Sequence, residues 1–169
     1  GNSEWLVACS ASAGPALEGA NVECGIRAEP GAIEKVFVED GKIAYMTIGL
    51  EPPAGICGSG ILDLVSVLLS MGIIDRNGRF IDGTSDRLRD VGGKKAFILA
   101  AKEETGTDAL VFITEKDIEN IITAKAAIFA AMNAGASIGP LDGWMRQNVP
   151  QIGARTPGYP GLTALLVLD

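Results

Sequence analysis

The residues with the clearest capacity for chemistry stand in one run, Pro53-Ala54-Gly55-Ile56-Cys57-Gly58-Ser59-Gly60, which leads into Ile61-Leu62-Asp63-Leu64-Val65. Closely spaced glycines allow a sharp backbone turn, and the apolar residues after them recur at helical spacing. A glycine turn opening a helix presents unpaired N–H groups at the positive end of a dipole, a setting suited to an anion such as a phosphate. Gly58, Ser59 and Gly60 are therefore the first candidate binding residues. Asp63 has two readings, stabilisation of the helix start through the dipole, or contact with a metal or a ribose. The run is neither a Walker A loop, since no Gly-Lys-Ser/Thr follows, nor the dinucleotide fingerprint, whose spacing differs.

Two further residues could join such a site. Glu18 lies in Gly14-Pro15-Ala16-Leu17-Glu18-Gly19, between glycines that permit close approach of a ligand or a Mg²⁺-bound water. Its alternative role is in a short helical turn opened by Pro15. Arg27, among small residues, could clamp a phosphate or carboxylate, or form a structural ion pair with Glu18, Glu23 or Glu29. Lys125, the one charge in an alanine-rich stretch, could reach a phosphate or lie along the surface with its head in water.

Composition removes several chemistries. The 169 residues contain no histidine, which excludes Ser-His and Cys-His nucleophile pairs and histidine-bearing zinc motifs. Cys9, Cys24 and Cys57 form no C-x-x-C pair, so neither a disulfide framework nor a metal site is indicated. The net charge of −7 and the lack of a basic run argue against nucleic acid. No apolar stretch of about 20 residues is present to span a membrane. With 47% hydrophobic residues the chain fits one compact unit.

The elements that must position these residues are short. Trp5–Cys9 reads as a strand. Ile33–Val38 and Ile43–Ile48 flank Asp40-Gly41, a hairpin signal. A helix follows the glycine turn, with Ile61, Leu64, Val65, Leu68 and Leu69 on its apolar face and Gly72 at its end. Asn77-Gly78 makes a turn, and residues 82–95 read as surface loop. Ala96–Ala100 and Leu110–Ile113 read as strands. Thr114 opens the clearest helix, with Asp117 completing a capping-box variant and Ile118, Ile121, Ile122, Phe129 and Met132 on the buried face. The character changes after Ala136, so residues 1–136 are taken as one unit and 137–169 as a turn-rich tail.

Several motifs together resemble one family. They are Asn2 with Trp5-Leu6-Val7-Ala8-Cys9-Ser10-Ala11-Ser12-Ala13-Gly14-Pro15-Ala16 and Glu18-Gly19; Cys24-Gly25 with Arg27-Ala28 and Pro30-Gly31-Ala32-Ile33-Glu34-Lys35-Val36; Gly55-Ile56-Cys57-Gly58-Ser59-Gly60; and Ile113-Thr114-Glu115-Lys116-Asp117-Ile118 with Ala124-Lys125-Ala126-Ala127-Ile128. Over residues 2–134 the chain looks like the C-terminal domain of the reductive activators of corrinoid proteins. The resemblance implies an α+β subdomain of an actin-like ATPase, with short strands, a hairpin and two main helices.

It further implies a cytoplasmic parent protein that binds ATP with Mg²⁺ and returns a corrinoid protein's cobalt from Co(II) to Co(I). A [2Fe–2S] cluster would belong to the parent and not to this chain. Gly58, Ser59 and Gly60 are then the best nucleotide-facing candidates, with Glu18 and Arg27 behind them and Asp63 as a further binding candidate. The family's Asp-Ile-Gly-Thr phosphate loop and Gly-Gly adenosine loop have no counterpart here, and Leu17 stands where an aromatic residue is expected. The expectation is thus an internal fragment that does not turn over ATP alone. The alternative is a non-catalytic module that docks a corrinoid or other protein without nucleotide. A homodimer is left open.

Overall fold

The structure is a computed structural model that describes residues 11–136. The strand expected at Trp5–Cys9 and the turn-rich tail lie outside the described residues. Two small sheets carry the chain. In the first, β1 (Ala32–Glu39) is central, paired antiparallel with β2 (Lys42–Thr47) and parallel with the two-residue β3 (Gly55–Ile56). The expected hairpin is present. Asp40 and Gly41 take φ of 50° and 75°, the left-handed pair that a two-residue hairpin turn needs.

The second sheet orders β4 (Leu88–Val91), β5 (Lys94–Ala100) and β6 (Val111–Thr114), all antiparallel. Here the structure corrects the loop expected over residues 82–95. Gly92 and Gly93, at φ of 61° and 80°, turn β4 into β5. β4 sits at the sheet edge and exposes Arg89 and Asp90, so its polarity hides it from a search for apolar alternation.

Helix α1 (Gly58–Ser70) lies against β1, and helix α2 (Glu115–Ala136) against β5 and β6, while a 3-10 turn at Ala16–Glu18 touches both helices. One continuous core joins them: Ile33 and Val36 from β1, Ile61, Leu64 and Leu68 from α1, Phe97 and Leu99 from β5, and Ile118 and Ile121 from α2. Each such side chain contributes about 1.5–3 kcal/mol by leaving water. Gly72, at φ 68°, lies just past α1 as expected. Phe129, expected on the buried face of α2, is 41% exposed. Among the described residues the buried positions of α2 end at Ala124 and Lys125, and Phe129 lies one turn past them.

Three carboxylates lock the loops to this frame. Asp75 accepts the N–H groups of Asn77 at 2.9 Å and Arg79 at 2.8 Å, which shapes the Asn77-Gly78 turn. Glu115 then accepts the Phe80 N–H at 2.8 Å and pairs with Arg79 at 3.1 Å, fastening that turn to the start of α2. Asp117, only 2% exposed, divides its oxygens. One accepts the Thr114 N–H at 2.8 Å and the Thr114 hydroxyl at 2.7 Å, while the other accepts the Glu23 N–H at 3.0 Å. The reciprocal bond from the Asp117 N–H to Thr114 Oγ1, 3.1 Å, completes the expected cap. The left-handed conformation is also taken by Leu50, at φ 57°, and costs a side chain of this type on the order of 1–2 kcal/mol.

Two outcomes follow from these ties. Asp117→Ala strips the cap and leaves buried donors without acceptors, so urea unfolding will show a loss of about 2–4 kcal/mol. The backbone N–H of Arg79, ahead of the Asn77 groups, holds the Asp75 carboxyl below its ordinary range. A depressed native pKa stabilises the fold above the unfolded value of about 3.9 and loses that contribution as pH falls through the native one. Stability of Asp75→Asn measured against pH will therefore fall less steeply below about pH 4 than that of the parent sequence.

Candidate functional site

β3 enters the site flanked on two sides. Its Ala32↔Gly55 and Ile33↔Ile56 pairing joins β1, and the Ile26 N–H donates to the Ile56 carbonyl at 3.0 Å from the other side. At Cys57 the chain turns into α1, and there it meets a bulge in β1 between Ile33 and Lys35. The Cys57 N–H donates to the Ile33 carbonyl at 3.1 Å, and the Ser59 hydroxyl to the Glu34 carbonyl at 2.8 Å. One helical turn later, Asp63 Oδ2 accepts the Val36 N–H at 3.3 Å. Helix α1 is thus bonded along the irregular stretch of β1.

The glycines have a reason in this packing. A Cβ on Gly60 would lie 2.1 Å from the Ile33 carbonyl oxygen, and one on Gly58 would lie 1.9 Å from that of Leu17. Both contacts are backbone, which cannot yield cheaply. The first turn is therefore held between β1 and the 3-10 turn. Cys57 gives no side-chain cap, and the N–H groups of Gly58, Ser59 and Gly60 have no acceptor among the described residues. Ser59 is exposed, Gly58 half-buried and Gly60 buried, so at the open end of α1 the unpaired donors of Gly58 and Ser59 lie beside solvent.

The other candidates fall differently. Glu18 is exposed, and its backbone nitrogen comes 3.9 Å from the position a Gly58 Cβ would take, so it shares the rim of the turn. Asp63, at 9% exposure, is aimed at the β1 backbone and lies beyond the first turn of α1. This replaces the dipole role considered for it. Arg27 is exposed, one residue past the Ile26 bond to Ile56, and no ion pair joins it to Glu18, Glu23 or Glu29 among the described residues. Glu23 pairs with Lys94 instead. Lys125 is buried and engaged. The part played by the Leu17 carbonyl escaped sequence reasoning, because a backbone contact leaves no trace in residue type beyond the glycine opposite.

The two described cysteines, Cys24 and Cys57, are occupied separately. Cys24 Sγ accepts the Phe112 N–H at 3.4 Å, and burial, the largest influence, pushes its thiol pKa up. Cys57 Sγ donates to the Ile33 carbonyl at 3.4 Å. No group of three or more potential metal ligands occurs among the described residues, nor is any described helix long and apolar enough to cross a membrane. A groove of about 420 Å³ beside β4 and β5, lined by Arg87, Arg89 and Glu104 among others, does not include the glycine turn.

Small sheets, two helices and a helix start held on a strand bulge define an α+β lobe of the actin-like class. Residues 1–136 match the family described as the C-terminal domain of RACo, the ASKHA domain, and the chain belongs to that family. It is 39% identical to the corrinoid activation enzyme RamQ of Eubacterium limosum, over 76% of this chain and 23% of that protein. A solved structure of a reductive activator for corrinoid, iron–sulfur protein superposes with a TM-score of 0.76 at 46% identity, covering 82% of this chain and 22% of that one. The chain thus spans less than a quarter of either relative's length.

Gly→Ala inside an ordinary helix gains about 1 kcal/mol. At Gly58 and Gly60 the sign reverses: each alanine variant will lose about 1–3 kcal/mol in urea unfolding, because its Cβ meets a carbonyl. Ser59→Ala, which forfeits one exposed bond, will lose about 1 kcal/mol or less. A stable Gly60→Ala variant would refute this account of the packing.

Proposed function

We propose that this chain is part of an ATP-dependent reductive activator that returns the cobalt of a corrinoid protein from Co(II) to Co(I). The observation that carries the nucleotide half is the open start of α1, where the N–H groups of Gly58, Ser59 and Gly60 have no acceptor among the described residues. Such a turn binds phosphate oxygens through backbone donors and the helix dipole. Glu18 on its rim is the group suited to a Mg²⁺-bound water, and exposed Arg27 to phosphate charge. Asp63 serves the site from behind, by holding β1 to α1.

The names of the relatives carry the other half. One is a corrinoid activation enzyme and one a reductive activator for a corrinoid, iron–sulfur protein, so a corrinoid protein is the partner and its cobalt the electron acceptor. Nucleotide can favour such a transfer only by binding more tightly to the conformation in which transfer occurs. This chain's share is to hold phosphate and report its presence through β1. The three cysteines of the chain fall short of the four thiolates of a [2Fe–2S] cluster, so that group belongs to other residues of the longer protein. We assign the reaction to the cytoplasm.

Ser59→Glu places a carboxylate at the open helix end, where it competes with phosphate. Within a whole activator carrying this domain, cobalt absorbance will follow ATP-dependent formation of Co(I), and the variant will slow it at least tenfold with an unchanged circular dichroism spectrum. Full activity in the variant would remove the glycine turn from the nucleotide site. No ATP-dependent Co(I) formation in the parent sequence would overturn the activator reading itself.

A further inference from the structure

Residues 16–26 run out from the 3-10 turn and return to β3, and the two arms of this excursion touch. A Cβ on Gly25 would collide with the Gly19 carbonyl, and one on Gly19 would lie 2.8 Å from the Ile26 carbonyl oxygen. The loop therefore has a closed base. That base grips the entry to α1 from two directions. The Leu17 carbonyl packs against Gly58, while the Cys24 carbonyl accepts the Ile56 N–H at 2.8 Å and the Ile26 N–H donates to the Ile56 carbonyl at 3.0 Å.

The tip of the same loop is fastened to the other half of the fold. From α2, Asn120 Nδ2 donates to the Asn21 carbonyl at 2.8 Å and Asp117 accepts the Glu23 N–H at 3.0 Å. From the start of β5, Lys94 pairs with the Glu23 carboxylate. Val22, between these ties, is buried in the common core. The Cys24 thiol makes two bonds at β6, accepting the Phe112 N–H at 3.4 Å and donating to the Leu110 carbonyl at 3.6 Å. It serves that edge as a neighbouring strand would.

We propose that residues 16–26 are a coupling loop, with its base on the Gly58–Gly60 turn and its tip on α2 and β6, so that displacing either end displaces the other. Groups that share partners in this way are the ones whose effects fail to add. Cys24, Asn120 and Lys94 are then positioning residues for the turn, acting on it through the Leu17 carbonyl and the Ile56 pairing. This last consequence rests on the nucleotide reading of the turn, whereas the coupling itself does not.

Hydrogen exchange on the 169-residue chain reads the coupling without nucleotide. Gly58→Ala pushes on the Leu17 carbonyl, in the loop, and Gly60→Ala on the Ile33 carbonyl, in β1. Gly58→Ala will speed exchange of the Glu23 and Phe112 amides at least tenfold relative to the Arg79 amide, which Asp75 holds away from the loop. Gly60→Ala will speed all three in step, and equal behaviour of the two variants overturns the inference. Should Gly58→Ala not fold, the contrast is read in reverse: Cys24→Ala will speed the Cys57 amide relative to Arg79, and an unchanged ratio overturns the inference.

In a whole activator carrying this domain, ATP titration by calorimetry reads the consequence. Cys24→Ala, and Lys94→Ala combined with Asn120→Ala, will each weaken ATP binding at least fivefold, whereas Asp75→Asn, which loosens a turn off the loop, will leave it within twofold. Affinity within twofold of the parent in both tip variants overturns the positioning role, as does an equal loss in Asp75→Asn. If the exchange contrast holds while Ser59→Glu leaves ATP affinity unchanged, the nucleotide reading has failed and the coupling stands.

Discussion

The structure depends on the backbone contact between the first turn of α1 and the bulge in β1. Ile33 takes part in both a hydrogen bond from Cys57 and the close approach of Gly60, so one strand carbonyl fixes the height and direction of the helix. Ser59 and Asp63 then bond to the residues on either side of Lys35. In a strand of regular register the adjacent Ile33 and Glu34 carbonyls would point to opposite edges. The bulge instead brings the Ile33 carbonyl to the edge that carries the Glu34 carbonyl and Val36 N–H, where α1 meets all three. With α1 fixed, Ile61, Leu64 and Leu68 fall into the core, and the second sheet and α2 close around them.

A second tie keeps the loops in place. Asp117 caps α2 with one oxygen and holds the Glu23 N–H with the other, so the start of α2 and the segment leading to Gly25 share one buried carboxylate. Gly25 bridges to Ile56, the last residue before the turn into α1. Helices α1 and α2 are therefore linked through short backbone bonds as well as through apolar packing. A buried carboxylate with several donors is a costly group to leave unsatisfied, which makes this tie specific as well as stabilising.

Much of this was legible from residue types, for reasons that can be named. Asp40-Gly41, the α1 stripe and the Thr114/Asp117 cap are local signals, each complete within a few residues, and each has its structural counterpart. The start of α1 was legible as a glycine turn but not as a packed one. Glycines that admit a ligand and glycines that admit a carbonyl leave the same mark, and Leu17 and Ile33 are distant in sequence from Gly58 and Gly60. Edge strand β4 was hidden because its side chains are largely solvated, and the end of the buried face on α2 was hidden because periodicity continues past the layer that covers it. Asp63 was assigned by its distance from the glycines, whereas its partner is set by the bulge.

The same segment joins the helix start and the Leu50 tip. From Leu50 the chain runs through Pro52 and Pro53 into β3 and reaches α1 within a few residues. Gly31 binds this segment near both ends, accepting from Ala54 and donating to Ile48. Prolines limit how far the intervening backbone can flex, and β3 is paired along both of its residues. The start of α1 and the Leu50 turn are therefore joined by a short, stiff segment, with β1 as its common support. A ligand at the start of α1 would shift the Leu50 turn only if it bound two arrangements of that turn unequally, since equal binding shifts no equilibrium.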